Sequence, residues 1–217
     1  MKKKKFDINL AFRRLEPVVR NLDAPVVEFV AIQNNDPFRI LIATILSART
    51  TDQITTRVIE KLFKRVTDFV SLQKLSLKEI EELIYPAGFY RQKAKQLQKL
   101  PVIIKEQFNG QIPSEIDDLI KLPGVGRKTA NLVRAVAFGK PAICVDTHVH
   151  RITNRWGYVK TKTPLETEMT LRKKLPKKYW LKTNSYLVAF GQKICRPIGT
   201  KCNDCPLYDI CPSFRMK

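Results

Sequence analysis

Four cysteines, Cys195, Cys202, Cys205 and Cys211, crowd into one segment of this chain with the spacing C-x6-C-x2-C-x5-C. Four thiolates held this close need a cation among them, and a metal centre supplies it. Zinc ribbons use two C-x2-C knuckles, whereas this segment has one. The looser 6-2-5 spacing wraps a bulkier object, so a 4Fe-4S cluster, one per chain, is the preferred occupant. A zinc ion and a disulfide-bonded or unliganded loop stay open at this point. Cys144, flanked by Ile143 and Val145, reads as a buried structural cysteine.

A second constellation is Leu122-Pro123-Gly124-Val125-Gly126, followed at once by Arg127 and Lys128. A tight turn leading into a helix start presents backbone N–H groups, and glycines let a phosphate approach them closely. Contacts of this kind position a duplex without reading its bases. Gly124, Val125, Gly126 and Arg127 are therefore candidate DNA contacts. The plain alternative, a helix corner with a capping glycine, leaves the adjoining basic pair unexplained. Asp146, ahead of Thr147-His148-Val149, stands where an N-cap belongs. Lys128, among 40 Lys+Arg, reads on composition alone as a surface or phosphate-binding lysine. His148 and His150 lie two apart, do not share a helix face and make no joint metal site.

The charge balance supports a polyanionic partner. Forty Lys+Arg against 20 Asp+Glu leave a net +20 on 217 residues. That excess favours nucleic acid. A hydrophobic fraction of 44% supports a packed core and argues against a disordered chain. The longest apolar run, Ile40 to Leu46, falls far short of the roughly 20 residues a membrane span needs. Asp7, Arg13 and Arg14 interrupt any secretory apolar region behind Lys2–Lys5, so a cytoplasmic, nucleoid-associated protein is expected, not a secreted one. Lys2–Lys5 itself reads as a frayed, solvated tail.

The elements that must position these groups are helices. Asp36-Pro37 predicts an N-cap for a helix through Ser47 that is apolar nearly all round, hence central. Thr50-x-x-Gln53 and Ser76-x-x-Glu79 read as capping boxes ahead of apolar-periodic runs, the second stopped by Pro86 and Gly88. Further helices are expected over Gln92 to Phe108 with a kink at Pro101, over Pro113 to Lys121, over Arg127 to Phe138, behind Thr163-Pro164, and over Lys178 to Phe190. Strand alternation is nearly absent. The class is all-α, with a metal-held C-terminal loop.

Taken together, Leu122 to Asn131, then Val145-Asp146-Thr147-His148, then the cysteine loop resemble the endonuclease III family of DNA glycosylases. The likeness runs from about Ala31 to Cys211. It implies two helical domains with DNA in the cleft between them. One is a six-helix barrel, here 30–140, with the helix–hairpin–helix at about 114–138. The other is an iron–sulfur domain, here 1–29 and 141–217. It also implies a bifunctional enzyme that removes oxidised pyrimidines from double-stranded DNA and nicks damaged or abasic sites, acting as a monomer. Carried over by motif, Lys128 is the nucleophile and Asp146 its partner, with Cys195, Cys202, Cys205 and Cys211 on the cluster. Two places depart from the family's pattern. Leu46-Ser47-Ala48-Arg49 carries Arg where the family commonly has Gln, and Gly88-Phe89-Tyr90 carries Phe where it has Leu. The resemblance makes Arg49 a candidate to contact the orphan base and Phe89 a candidate wedge.

Rival readings are weaker on particular residues. A mismatch-specific adenine glycosylase needs an acid within Phe38–Ala48, which holds none. A thymine or uracil mismatch glycosylase would lack the Lys128–Asp146 pair. A non-catalytic helix–hairpin–helix DNA-binding module has no use for that pair, and a redox carrier has none for the hairpin.

Overall fold

The computed structural model describes residues 6–20 and 36–214; the Lys2–Lys5 tail and the expected domain boundary at 29–30 lie outside them. In chain order the helices are α1 (Ile8–Arg20), α2 (Pro37–Ser47), α3 (Asp52–Phe63), α4 (Phe69–Gln73), α5 (Leu77–Ile84), α6 (Tyr90–Phe108), α7 (Ile116–Leu119), α8 (Arg127–Phe138), α9 (Thr147–Arg155), α10 (Pro164–Lys174) and α11 (Trp180–Lys193), with a 3₁₀ turn at Lys177–Tyr179 before the last. Among the described residues there is no strand, and no helix is long and apolar enough to cross a membrane. Residues 36–140 form one compact unit, and 6–20 with 141–214 the other.

The first unit is built on α2. Its residues from Ile40 to Leu46 are all buried, as an all-round apolar helix must be. It packs on α3, α6 and α8, and α5 packs on α6. Local hydrogen bonding sets the starts. Asp36 accepts from the Phe38 amide at 2.9 Å, with Pro37 at the first helical position. Ser76 and Glu79 form the reciprocal capping box expected of them. The Thr50 box is displaced by one residue. Thr51 is the N-cap of α3, accepting from the Ile54 amide, because the chain turns through the left-handed region at Arg49 (φ 53°) and the helix begins later. α4, not anticipated, is a short helix capped reciprocally by Asp68 and Ser71. α6 starts at Tyr90, earlier than Gln92, and runs through Pro101, with Asn109 as its left-handed C-cap. α7 spans four residues, well inside the expected 113–121.

The second unit packs Phe12 and Leu15 of α1 against Ile143, Ile152 and Trp156, with Leu187, Phe190 and Leu207. Arg14 donates to the Pro206 carbonyl at 3.2 Å and to Asp209 at 2.5 Å, which ties α1 to the cysteine loop. Cys144 is buried, and its carbonyl accepts from Asn184 at 3.2 Å.

Candidate active site and cysteine loop

The hairpin joins α7 to α8, anchored by buried Leu122 and Val125. Its two glycines do different work. Gly124 has φ +80°, and a Cβ there would meet Gln96 Oε1 at 2.7 Å and Ile45 Cγ2 at 3.3 Å, so the turn itself requires glycine. Gly126 has extended backbone, nothing within 4 Å of a Cβ, and is the N-cap of α8 with no side chain to occupy that end. A helix start of this kind attracts anions. Gly126→Ala should therefore leave the melting temperature unchanged, since the protein has room for the methyl. It should weaken damaged and undamaged duplex alike by about tenfold, the scale of one hydrogen bond to a charged group. Fluorescence anisotropy titration with both duplexes checks this, and weakening confined to one lesion would mean that the turn reads bases.

Lys128, on the first turn of α8, is exposed. The buried Asn131 amide donates to the Arg127 carbonyl at 3.0 Å and stiffens that turn. Sequence reasoning missed one neighbour, Asp52 at the start of α3. Partial desolvation holds its carboxyl above the ordinary range, against the opposing pull of the Lys128 cation. Nothing in the spacing of Asp52 and Lys128 signals that pairing.

In the second unit Asp146 is the N-cap of α9, accepting from the Val149 amide at 2.9 Å, as its position predicts. His150 Nδ1 meets Thr167 Oγ1 at 2.7 Å and His148 Nδ1 meets Arg151 at 3.1 Å, so the two histidines serve different partners. Arg151 also donates to the Cys195 carbonyl at 2.8 Å.

All five cysteines are free. Among the described residues, no three His, Cys, Asp or Glu converge as the ligands of a single metal ion. The four loop cysteines are half-buried and sense one another. Burial pushes the Cys205 thiol up to about 11, with the charges of Cys195, Cys211 and Cys202 adding to it and a Leu207 backbone hydrogen bond opposing. Burial raises Cys211 likewise. Thiols in this state ionise together only with positive charge among them. The loop is pinned from outside by Arg155, which donates to Cys195 Sγ at 3.5 Å, to the Arg196 carbonyl at 2.6 Å and to the Pro197 carbonyl at 3.0 Å. A sulfur that accepts an N–H from a guanidinium suits an anionic thiolate-bound centre.

Back in the first unit, Arg49 and Phe89 come together from different elements. Both have left-handed backbone, φ 53° and φ 56°. The Arg49 guanidinium lies over the Phe89 ring at 5.3 Å, and Phe89 is 58% exposed.

A helix–hairpin–helix in an all-helical, strongly basic chain, with a lysine directly behind the turn, defines a class, and comparison agrees. The model of the HhH-GPD superfamily of base excision DNA repair proteins matches residues 42–177, which include the hairpin, Lys128 and Asp146 and stop before the cysteine loop. Endonuclease III of Thermotoga maritima is 45% identical over 185 residues, 85% of this chain and 87% of that one. A solved non-covalent endonuclease III–DNA complex matches with a TM-score of 0.85 at 36% identity, over 96% of this chain and 95% of the other. A trapped covalent endonuclease III–DNA intermediate, an estranged-adenine complex, also gives 0.85, at 37% identity over 97% of each chain. This chain belongs to the endonuclease III family.

Proposed function

We propose that the protein is a bifunctional base-excision-repair enzyme that removes oxidised pyrimidines from duplex DNA and cleaves the resulting site, with Lys128 as nucleophile and Asp146 as its acid–base partner. The observation that carries this reading is the place of Lys128. It is exposed on the first turn of α8, directly behind an N-terminus open to phosphate and beside the Asp52 carboxylate. The damaged nucleotide must first leave the stack. The neutral Lys128 amine attacks the sugar C1′, and the bond to the base breaks with its electron pair leaving on the base. The resulting imine, formed as the sugar ring opens, acidifies C2′; loss of that proton and β-elimination then expel the 3′ phosphate. Asp146, held rigidly by its capping bond to Val149, is suited to accept the amine proton and to stabilise positive charge on the sugar. Gly124, Val125, Gly126 and Arg127 hold the backbone. Arg49 and Phe89 enter the duplex, Arg49 donating to acceptors on an orphan purine and Phe89 stacking in the gap.

Cys195, Cys202, Cys205 and Cys211 would hold a 4Fe-4S cluster, whose contribution when bound is to fix the C-terminal loop. The burial-raised thiols of Cys205 and Cys211, close to the other two cysteines, and the Arg155 N–H to the Cys195 sulfur support it. Cys202→Ala should cut iron below the expected ~4 per chain and sharply lower folded yield, because the loop buries little apart from Leu207. Iron analysis and the yellow-brown absorbance check it, and colourless protein carrying stoichiometric zinc would overturn the cluster.

The function is tested by borohydride trapping of the wild-type protein against oligonucleotide duplexes that each carry one oxidised pyrimidine, an abasic site or a mismatch. Covalent adducts are expected with the first two. Base release from the mismatch alone, with no covalent adduct on any duplex, would transfer the assignment to a mismatch glycosylase.

A further inference from the structure

One lysine of this basic protein is spent in the interior. Lys93, on the first turn of α6, is 5% exposed. Burying an ammonium is costly unless each of its three protons finds an acceptor. Here each does: Lys93 Nζ donates to the Leu46 carbonyl at 2.7 Å, to the Ala48 carbonyl at 2.7 Å and to Thr50 Oγ1 at 2.9 Å. The two carbonyls lie at the C-terminal end of α2, where the helix leaves acceptors open and its dipole favours a cation. Thr50 Oγ1 in turn accepts the Gly88 amide at 3.1 Å. A Cβ at Gly88 would run into the Arg49 carbonyl oxygen, so the two segments touch along their backbones.

That network joins the two segments whose tips are Arg49 and Phe89. Each tip is a non-glycine residue in left-handed backbone, a strained state that persists only where the surroundings over-determine it. The Lys93 ammonium bonds the first segment directly and reaches Gly88 through Thr50 Oγ1, while the Lys93 backbone amide donates to the Phe89 carbonyl at 3.0 Å. A surface lysine would cap α2 equally well; only a buried one braces both segments from behind while leaving their outer edge clear. We propose that Lys93 is a positioning residue. Its ammonium locks Ala48–Thr50 and Gly88–Phe89 into one rigid edge, so that Arg49 and Phe89 enter the duplex as a single preformed wedge. The proposal rests on the reading of Arg49 and Phe89 as duplex-entering residues. Preforming the edge spares the ordering of two loops at the moment of base extrusion.

The test compares single-turnover cleavage of 5-hydroxyuracil placed opposite guanine with cleavage of the same lesion placed opposite a one-nucleotide gap, where there is no orphan base to contact. Lys93→Met should slow the paired substrate roughly 10- to 100-fold, the effect of small misplacement, and the gapped one by no more than about threefold. Thr50→Val keeps its bulk and loses the bridging hydroxyl; it should show the same selectivity in smaller measure and decides the matter if Lys93→Met does not fold. The double variant Arg49→Ala/Phe89→Ala should reproduce the pattern, and adding Lys93→Met to it should slow the paired substrate no further. Equal losses on both substrates, or losses that simply add, would make Lys93 a structural cap and overturn the proposal. If the double variant is selective while Lys93→Met and Thr50→Val behave as wild type, the proposal alone falls. If the double variant cleaves the paired lesion normally, the wedge reading falls and takes the proposal with it.

Discussion

Lys128→Ala is expected to eliminate both the borohydride-trapped adduct and the strand nick while leaving affinity for duplex DNA nearly intact. The covalent step needs an amine at the sugar C1′, and alanine supplies none. Removing a nucleophile costs at least about 10³-fold where the rest of a site survives. The binding elements do survive. The turn is set by Gly124 with Leu122 and Val125 anchored beneath it, and Asn131 stiffens the first turn of α8. None of these involves the Lys128 side chain. Lys128→Gln, which retains length without a basic amine, should bind at least as well as Lys128→Ala and nick no better. Loss of one cation should also flatten the salt dependence of binding by less than one unit of slope, because Arg127 and the helix start keep their phosphate contacts. The measurements are gel-resolved adduct formation on a pre-formed abasic site and anisotropy titration at several salt concentrations. An adduct from Lys128→Ala would place the nucleophile elsewhere and break the assignment at its centre.

What could be read from the sequence was what is local. Asp36, Ser76, Thr163 and Asp146 announce their helices because a cap and its target lie within three residues, and all four caps are present. The apolar run of α2 is legible as central because a helix without a polar face has to be buried. The capping box at Thr50 fails by one residue for a reason no local rule contains. Its hydroxyl is taken by Gly88 and Lys93, 38 and 43 residues away in sequence, and the chain turns left-handed at Arg49 beside it. The same distance hides Lys93, which by composition is one basic residue among 40 Lys+Arg. Asp52 is hidden likewise: it reads as an ordinary acidic first-turn residue, and its proximity to Lys128 arises from helices packed on α2. Motif order nominates the residues proposed to react, and tertiary packing supplies the groups that hold and tune them.

Asp146→Asn should slow base removal by roughly 10²–10⁴-fold, the range for loss of a general acid–base group, without changing the melting temperature. The substitution separates the observed capping role of Asp146 from its proposed acid–base role. As a cap it needs an oxygen to accept the Val149 amide at 2.9 Å, and asparagine, an equally good N-cap, supplies one. As an acid–base partner it needs a carboxylate, and asparagine has neither the charge nor the basicity. Base expulsion is the step that develops positive charge on the sugar and needs the amine proton removed, so that step should bear the loss. A pre-formed abasic site needs no base expelled, and its β-elimination should slow by about tenfold or less. Asp146→Ala removes cap and charge together. It should lower stability by about 1 kcal/mol, the cost of a lost N-cap, in addition to the kinetic defect. Single-turnover base release and nicking, measured separately on a 5-hydroxyuracil duplex and on an abasic duplex alongside thermal melts, resolve the two roles. Equal losses on both substrates with unchanged melting would mean that Asp146 acts in the elimination as much as in base removal. A normal Asp146→Asn enzyme would mean that the residue is a cap and that the carboxylate serving Lys128 is another, with Asp52 the next to substitute.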